Sequence, residues 1–164
     1  MDSTAIRVVD IVPGTSVDGP GLRTSIYVAG CRHQCPGCHN RQTWDFDYGT
    51  LMTVGEIMDV VEENGFNVTL TGGDPLYSVD AITPLVKAIA DAGYKIWLYT
   101  GYRWEELIDI PGIDDVLPHI EAIVDGPFEM DKRDLSLCFR GSSNQRIIDV
   151  QASLSAGKAV IFDY

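Results

Sequence analysis

Three of the chain's four cysteines, Cys31, Cys35 and Cys38, fall within eight residues in the spacing C-x3-C-x2-C. The fourth, Cys138, lies 100 residues further on. Clustered thiolates are metal ligands, and three are one fewer than a closed tetrahedral site takes. Iron–sulfur clusters are usually held by four cysteines. A cluster held by three leaves one iron with a free coordination position, which is a place for chemistry. Two other readings use the same residues. A structural zinc would be completed by His33, His39 or Cys138. A redox dithiol would use Cys35-Pro36-Gly37-Cys38 as a C-x-x-C, but that motif leaves Cys31 unexplained and belongs at the first helix of a thioredoxin-like fold.

A second constellation is Gly72-Gly73-Asp74. Paired glycines after a strand leave backbone N–H and C=O groups open to a ligand. Asp74 adds an acceptor for an ammonium group. Together these suit the charged end of an amino acid, although the same tripeptide alone reads equally as a turn. A third stretch is Val17-Asp18-Gly19-Pro20-Gly21, the end of a Gly/Pro-rich loop that allows close backbone approach to a ligand.

The elements that must position these residues follow one pattern. Ile6–Val12 is a β-branched run and a predicted strand. Arg23–Ala29 is a second, and it leads straight into the cysteines. Thr53 and Glu56 form a capping box that opens a helix, with Val54, Ile57, Met58 and Val61 inward and Gly65 as its stop. Phe66–Thr71 is a strand delivering Gly72-Gly73-Asp74. A helix lies within Ser78–Ala92, with Ile82, Leu85, Val86 and Ile89 inward. Tyr94–Tyr99 is a strand ending at Thr100, Trp104–Ile108 a short helix, and Glu121–Asp125 a strand. Residues 132–144 form a long polar loop, and Arg146–Leu154 and Ala159–Tyr164 read as closing strands. The marked residues fall at strand C-terminal ends, where α/β proteins place their sites. This is a partial (β/α) barrel or an open α/β sheet, since eight repeats would need about 200 residues or more.

Composition narrows the function classes. The 164 residues are 45% hydrophobic and 22% charged, ordinary for one globular domain with a proper core. No apolar run approaches the roughly 20 residues of a membrane span, and no signal-peptide pattern opens the chain. Clustered cysteines without export signals lead us to expect a cytoplasmic, reducing setting. The net charge is −12, and residues 51–130 carry 15 acidic and 3 basic side chains. That excess argues against nucleic acid as a direct ligand, which wants a basic stripe. These carboxylates read chiefly as solvated helix faces, the alternative being a docking surface for a basic partner.

With these motifs in hand, the chain resembles the radical S-adenosylmethionine (SAM) superfamily through nearly its whole length. C-x3-C-x2-C after one strand and Gly-Gly-Asp/Glu after the next are that superfamily's marks. The resemblance is closest to the activases of glycyl radical enzymes, and among them to the group serving anaerobic ribonucleoside-triphosphate reductase. Asp18-Gly19-Pro20-Gly21, Cys35-Pro36-Gly37-Cys38-His39-Asn40, Arg140-Gly141-Ser142-Ser143-Asn144-Gln145-Arg146 and the short length carry that narrower likeness. It implies a single-domain, incomplete (β/α) barrel. It implies that Cys31, Cys35 and Cys38 hold a 4Fe-4S cluster whose fourth iron binds SAM through its amino and carboxylate groups. Thr71, Gly72, Gly73 and Asp74 would hold the same methionyl end, with Thr100 and Asp125 lining the pocket. One electron from a flavodoxin or ferredoxin would cleave SAM to methionine and a 5′-deoxyadenosyl radical, which takes a hydrogen atom from a glycine Cα of the reductase. Asp18, Gly19 and Gly21 would meet that glycine's loop.

One position departs from the superfamily. The residue before the last cysteine is often aromatic and touches adenine, whereas here it is Gly37. The adenine contact then comes from the backbone at Gly37 and Cys38, from His39, or from a neighbour. Three other functions stay open: activation of a pyruvate formate-lyase type enzyme, radical SAM chemistry on a small molecule, and a zinc-stabilised interaction module without catalysis. Cys138 reads as a spare thiol, His33 and His119 as non-catalytic, and Trp44 and Trp97 as packing residues. Replacing Cys31, Cys35 or Cys38 by Ala is expected to abolish SAM cleavage, measured as 5′-deoxyadenosine released under dithionite. Cys138→Ala should retain its iron.

Overall fold

The computed structural model describes residues 5–30, 45 and 49–162. Cys31, Cys35, Gly37, Cys38 and His39 lie outside them, as do His33 and Trp44. Seven strands form one mixed sheet: β1 (Ala5–Thr15), β2 (Arg23–Val28), β3 (Thr50–Thr53), β4 (Asn67–Gly72), β5 (Ile96–Tyr99), β6 (Ala122–Asp125) and β7 (Arg146–Asp149). Their order is β3-β1-β2-β4-β5-β6-β7. β2, β4, β5 and β6 run parallel, while β1, β3 and β7 pair antiparallel with their neighbours. The site-bearing strands are thus the parallel centre of an α/β sheet whose edges are β3 and β7.

Alternation along the central strands decides what each face does. Ile26, Val28, Val68, Leu70, Ile96, Leu98 and Ile123 share one buried core with Ile57 and Val61 of α1 (Val54–Asn64) and Ile82, Leu85 and Ile89 of α2 (Val79–Asp91). The intervening residues are Ser25, Tyr27, Thr69, Thr71, Trp97 and Tyr99. They face the other way and make that side of the sheet polar towards the strands' C-terminal ends. Trp97 is fully buried there, as expected of a packing residue. It packs edge-on with Phe139 and Phe162 and donates Nε1–H to Glu121 at 3.0 Å.

Helix signals in the sequence hold in detail. Thr53 Oγ1 accepts from Glu56 N–H at 3.2 Å and Glu56 Oε1 accepts from Thr53 N–H at 3.0 Å, closing the capping box of α1. Gly65 stops α1 at φ 71°, a conformation glycine adopts without Cβ strain. The readings that fail lie outside the parallel centre of the sheet. β1 and β2 are antiparallel neighbours, not a parallel repeat, and β3 was not expected. Only residues 146–149 of the expected strand Arg146–Leu154 are extended. Asp149 then caps α3 (Val150–Ala156), its Oδ1 accepting from Ala152 N–H at 3.0 Å. Ala159–Tyr164 contributes a single bridge, Ile148 to Ile161, among the described residues. No helix of the described residues is long and apolar enough to cross a membrane.

Thr24 is the one misfit on the helix-facing side of β2. It is fully buried, and its hydroxyl has no hydrogen-bond partner. Thr24→Val keeps the shape and removes an unsatisfied polar group. We expect it to stabilise the fold by about 1 kcal/mol, read as a raised urea midpoint at unchanged slope.

Candidate active site

The exits of β2 and β4 are bonded to each other. Gly73 N–H donates to Val28 C=O at 2.8 Å, and Asp74 N–H donates to Gly30 C=O at 2.8 Å. Gly30 is the residue before Cys31. Gly72 sits at φ +105°, and a Cβ there would stand 2.4 Å from Val28 N and 2.5 Å from Val28 O. Glycine is required at Gly72 on both counts. The segment Gly72-Gly73-Asp74 is therefore fastened to the chain entering the cysteine cluster.

Asp74 extends this fastening to β5. It is fully buried. Its Oδ1 accepts from Leu76 N–H at 3.0 Å and starts the 3-10 turn Pro75–Ser78. Its Oδ2 accepts from Thr100 Oγ1–H at 2.8 Å and from Gly101 N–H at 2.9 Å. Thr100 N–H in turn reaches Val124 C=O at 3.0 Å, and Gly126 N–H reaches Tyr102 C=O at 2.9 Å. The C-terminal ends of the four parallel strands thus form one hydrogen-bonded series.

Asp125 has a different surrounding from Asp74. It is 1% exposed and does not line the cavity described below. Arg146 grips it through Nε–H to Oδ1 at 3.2 Å and Nη2–H to Oδ2 at 2.6 Å, and Trp104 N–H adds a bond to Oδ2 at 2.8 Å. Arg146 also reaches Glu105 at 2.8 Å. Its hydrogen bonds to Asp125, then to Glu105, hold its guanidinium above the ordinary arginine range. Asp125 thereby joins the exit of β6 to the start of β7.

Above the polar face is a cavity of about 570 Å³, lined by Asp18, Tyr27, Thr71, Tyr99, Cys138 and Arg140 among others. Asp18 Oδ2 accepts from Ser25 Oγ–H and Tyr27 O–H, both at 2.9 Å. Gly19 and Gly21 follow at φ +146° and +72°. Burial, then the Asp18 charge, pushes both the Tyr27 and Tyr99 phenols up. Tyr99 O–H donates to Phe139 C=O at 2.6 Å. That bond holds residues 137–141 over the cavity, with Phe139 at φ 62°. Gln145 secures the base of this strap. Its Oε1 accepts from Gly141 and Ser142 N–H, and its Nε2–H donates to Gly126 C=O. Tyr27 and Tyr99 were not among the sequence candidates. Their signal was present as the polar half of the alternation in β2 and β5. Cys138, read as a spare thiol, is exposed and lies at this cavity.

Residues 17–148 match the family model described as a 4Fe-4S single cluster domain. Fold and match together define a 4Fe-4S domain protein built on an α/β sheet. The chain is 36% identical over 154 residues to the anaerobic ribonucleoside-triphosphate reductase-activating protein of Pasteurella multocida (strain Pm70), covering 87% of this chain and 96% of the relative. It is 39% identical over 145 residues to the protein of that name from Escherichia coli (strain K12), covering 81% and 92%. The counterpart from Enterobacteria phage T4 is 36% identical, covering 84% and 90%. This chain belongs to the anaerobic ribonucleoside-triphosphate reductase-activating protein family. Its fold is similar to that of QueE from Escherichia coli at a TM-score of 0.51 and 17% identity, over 59% of this chain and 53% of that one.

Gly72→Ala tests the fastening. It is expected to destabilise the fold by at least about 2 kcal/mol, from backbone strain plus displacement of Val28, and to lower the iron bound per chain after anaerobic reconstitution. Gly65→Ala, in a left-handed position with open space around it, should cost about 1–2 kcal/mol and leave the iron content unchanged. Full iron in Gly72→Ala would show that this contact does not position the cysteines.

Proposed function

We propose that the chain is a radical SAM enzyme that activates an anaerobic ribonucleoside-triphosphate reductase by making a glycyl radical on it. The observation that carries this reading is the bonding of Gly72-Gly73-Asp74 to Val28–Gly30, immediately before Cys31, in a member of this family. With the Gly73 and Asp74 N–H groups bonded to Val28 and Gly30, the backbone carbonyls of the glycine pair are the groups we read as meeting the amino group of SAM. Three thiolates in C-x3-C-x2-C fit a 4Fe-4S cluster with one open iron. Cys31, Cys35 and Cys38 would hold that cluster. When bound, the cluster and SAM supply a one-electron reductive cleavage and the carbon radical that follows from it.

The chain's own residues hold and shield. Gly72 and Gly73 present backbone groups to the methionyl end, and Thr71 lines the approach. Asp74 already accepts from Leu76, Thr100 and Gly101. It therefore acts by fixing the cradle and by placing a buried negative charge near the incoming ammonium. Thr100 and Asp125 keep the exits of β5 and β6 in place around it. Gly37, Cys38 and His39 would meet the adenine. Asp18, Gly19 and Gly21 would receive the glycine loop of the reductase at the cavity mouth. Tyr27 and Tyr99 keep their phenolic hydrogens engaged with Asp18 and Phe139. A small flavodoxin or ferredoxin would deliver the electron.

Electron paramagnetic resonance tests this. The reconstituted protein is mixed anaerobically with SAM, reductant and the reductase from the same source, and a persistent glycyl-type doublet is expected. 5′-Deoxyadenosine without a doublet would keep the radical chemistry and move it to another substrate. About one zinc per chain and no labile sulfide after anaerobic isolation would overturn the cluster itself.

A further inference from the structure

Arg23 begins β2 beneath the Asp18–Gly21 loop and is only 2% exposed. Its Nε–H donates to Thr69 Oγ1 at 2.9 Å, Nη2–H to Val68 C=O at 2.9 Å, and Nη1–H to Pro20 C=O at 3.3 Å. Its guanidinium carbon stands 5.5 Å from the centroid of the Trp97 ring. Thr69 Oγ1–H donates in turn to Asp18 C=O at 2.9 Å. The loop's backbone is thus held from beneath at two points: at Pro20 directly by Arg23, and at Asp18 through Thr69. Gly19 passes between them so closely that a Cβ would meet Arg23 Cδ at 2.7 Å and Nε at 2.9 Å. Further along the same face of β2, Ser25 and Tyr27 hold the Asp18 carboxylate. The loop's backbone and its Asp18 carboxylate are thus both held by the polar face of the sheet.

A buried guanidinium bonded to neutral oxygens is an expensive way to stabilise a loop. Burying a charge costs heavily, and buried charged groups are often replaced by apolar ones without loss of stability. What the arginine fork provides is geometry, since its donors lie in one rigid plane. The clamp is also remote from the cradle. Thr69 pairs with Ser25, and Gly72 with Val28 three residues on, which is roughly 10 Å along the strands.

We propose that Arg23 and Thr69 are positioning residues for the reaction with the reductase. They hold the Asp18–Gly21 backbone in the shape that receives the partner's glycine segment, and they leave the SAM end of the site alone. This rests on the reading above that the Asp18 loop meets the reductase.

The test uses the full-length, cluster-loaded chain with Thr69→Val, Thr69→Ser and Arg23→Lys. Three quantities are read: kcat and KM for reductase activation from growth of the glycyl doublet, 5′-deoxyadenosine released under dithionite without reductase, and iron per chain. Thr69→Val removes both hydrogen bonds of the relay in a side chain of equal size. Its kcat/KM for the reductase should fall about tenfold or more, within the roughly hundredfold that a misplacement of about 1 Å costs. The fall should lie mainly in KM, with reductase-free cleavage and iron unchanged. Thr69→Ser, which keeps the hydroxyl, should restore most of the loss. Arg23→Lys keeps the charge but loses the fork, and should show the same split. Equal losses of reductase-free cleavage and activation, or no loss of either in Thr69→Val and Arg23→Lys, would overturn the proposal. Asp18→Ala separates the loop's contact with the reductase from its positioning. Unchanged activation in it would refute contact between this loop and the reductase. Impaired activation there, with Thr69→Val unaffected, would refute the positioning role alone.

Discussion

Backbone meets backbone where β4 leaves the sheet beside β2, and the site depends on that contact. Gly72 lies against Val28 with no room for a side chain, and the next two N–H groups bond to Val28 and Gly30. The usual tolerance of a loop for substitution is absent here, because the neighbour is main chain and cannot rotate aside. The consequence is that a sequence-remote tripeptide and the residues leading into the cysteines share one rigid frame. If, as proposed, these residues hold SAM and the cluster, they need that kind of frame, since a misplacement of about 1 Å can cost on the order of a hundredfold.

Two buried carboxylates carry the frame across the sheet, and they are satisfied in different ways. Asp74 accepts hydrogen bonds from Leu76, Thr100 and Gly101. Asp125 is matched by Arg146. That ion pair ties the exit of β6 to the start of β7.

Much of this was legible in the sequence, and the failures have physical causes. The helices α1 and α2 announced themselves because their apolar residues repeat at helical spacing and their caps use Thr53, Glu56 and Gly65. Strands β2, β4, β5 and β6 were found because each ends where a conspicuous turn begins. The antiparallel pairing of β1 with β2 was not legible, since strand direction is decided by tertiary partners and leaves no local mark. The strand expected over Arg146–Leu154 broke at Asp149, whose capping bond to Ala152 outweighs the β-branched run before it. Tyr27, Tyr99 and Arg23 escaped notice for another reason. Each looks like an ordinary strand residue until the alternation of three parallel strands is laid side by side, which places them on the polar face. The roles of Asp74 and Asp125 were also beyond reach, because their partners stand 26 and 21 residues away.

The most direct test of the central claim is whether the methionyl end of SAM binds at a cluster held beside this cradle. Electron-nuclear double resonance on the reduced, cluster-loaded protein with SAM labelled by 15N in its amino group would answer it. A nitrogen coupling to the cluster in the native chain, weakened or lost in Gly72→Ala reconstituted to equal iron, is the expected result. An unlabelled-like spectrum from the native chain would contradict the claim, because the amino group would then lie away from the iron.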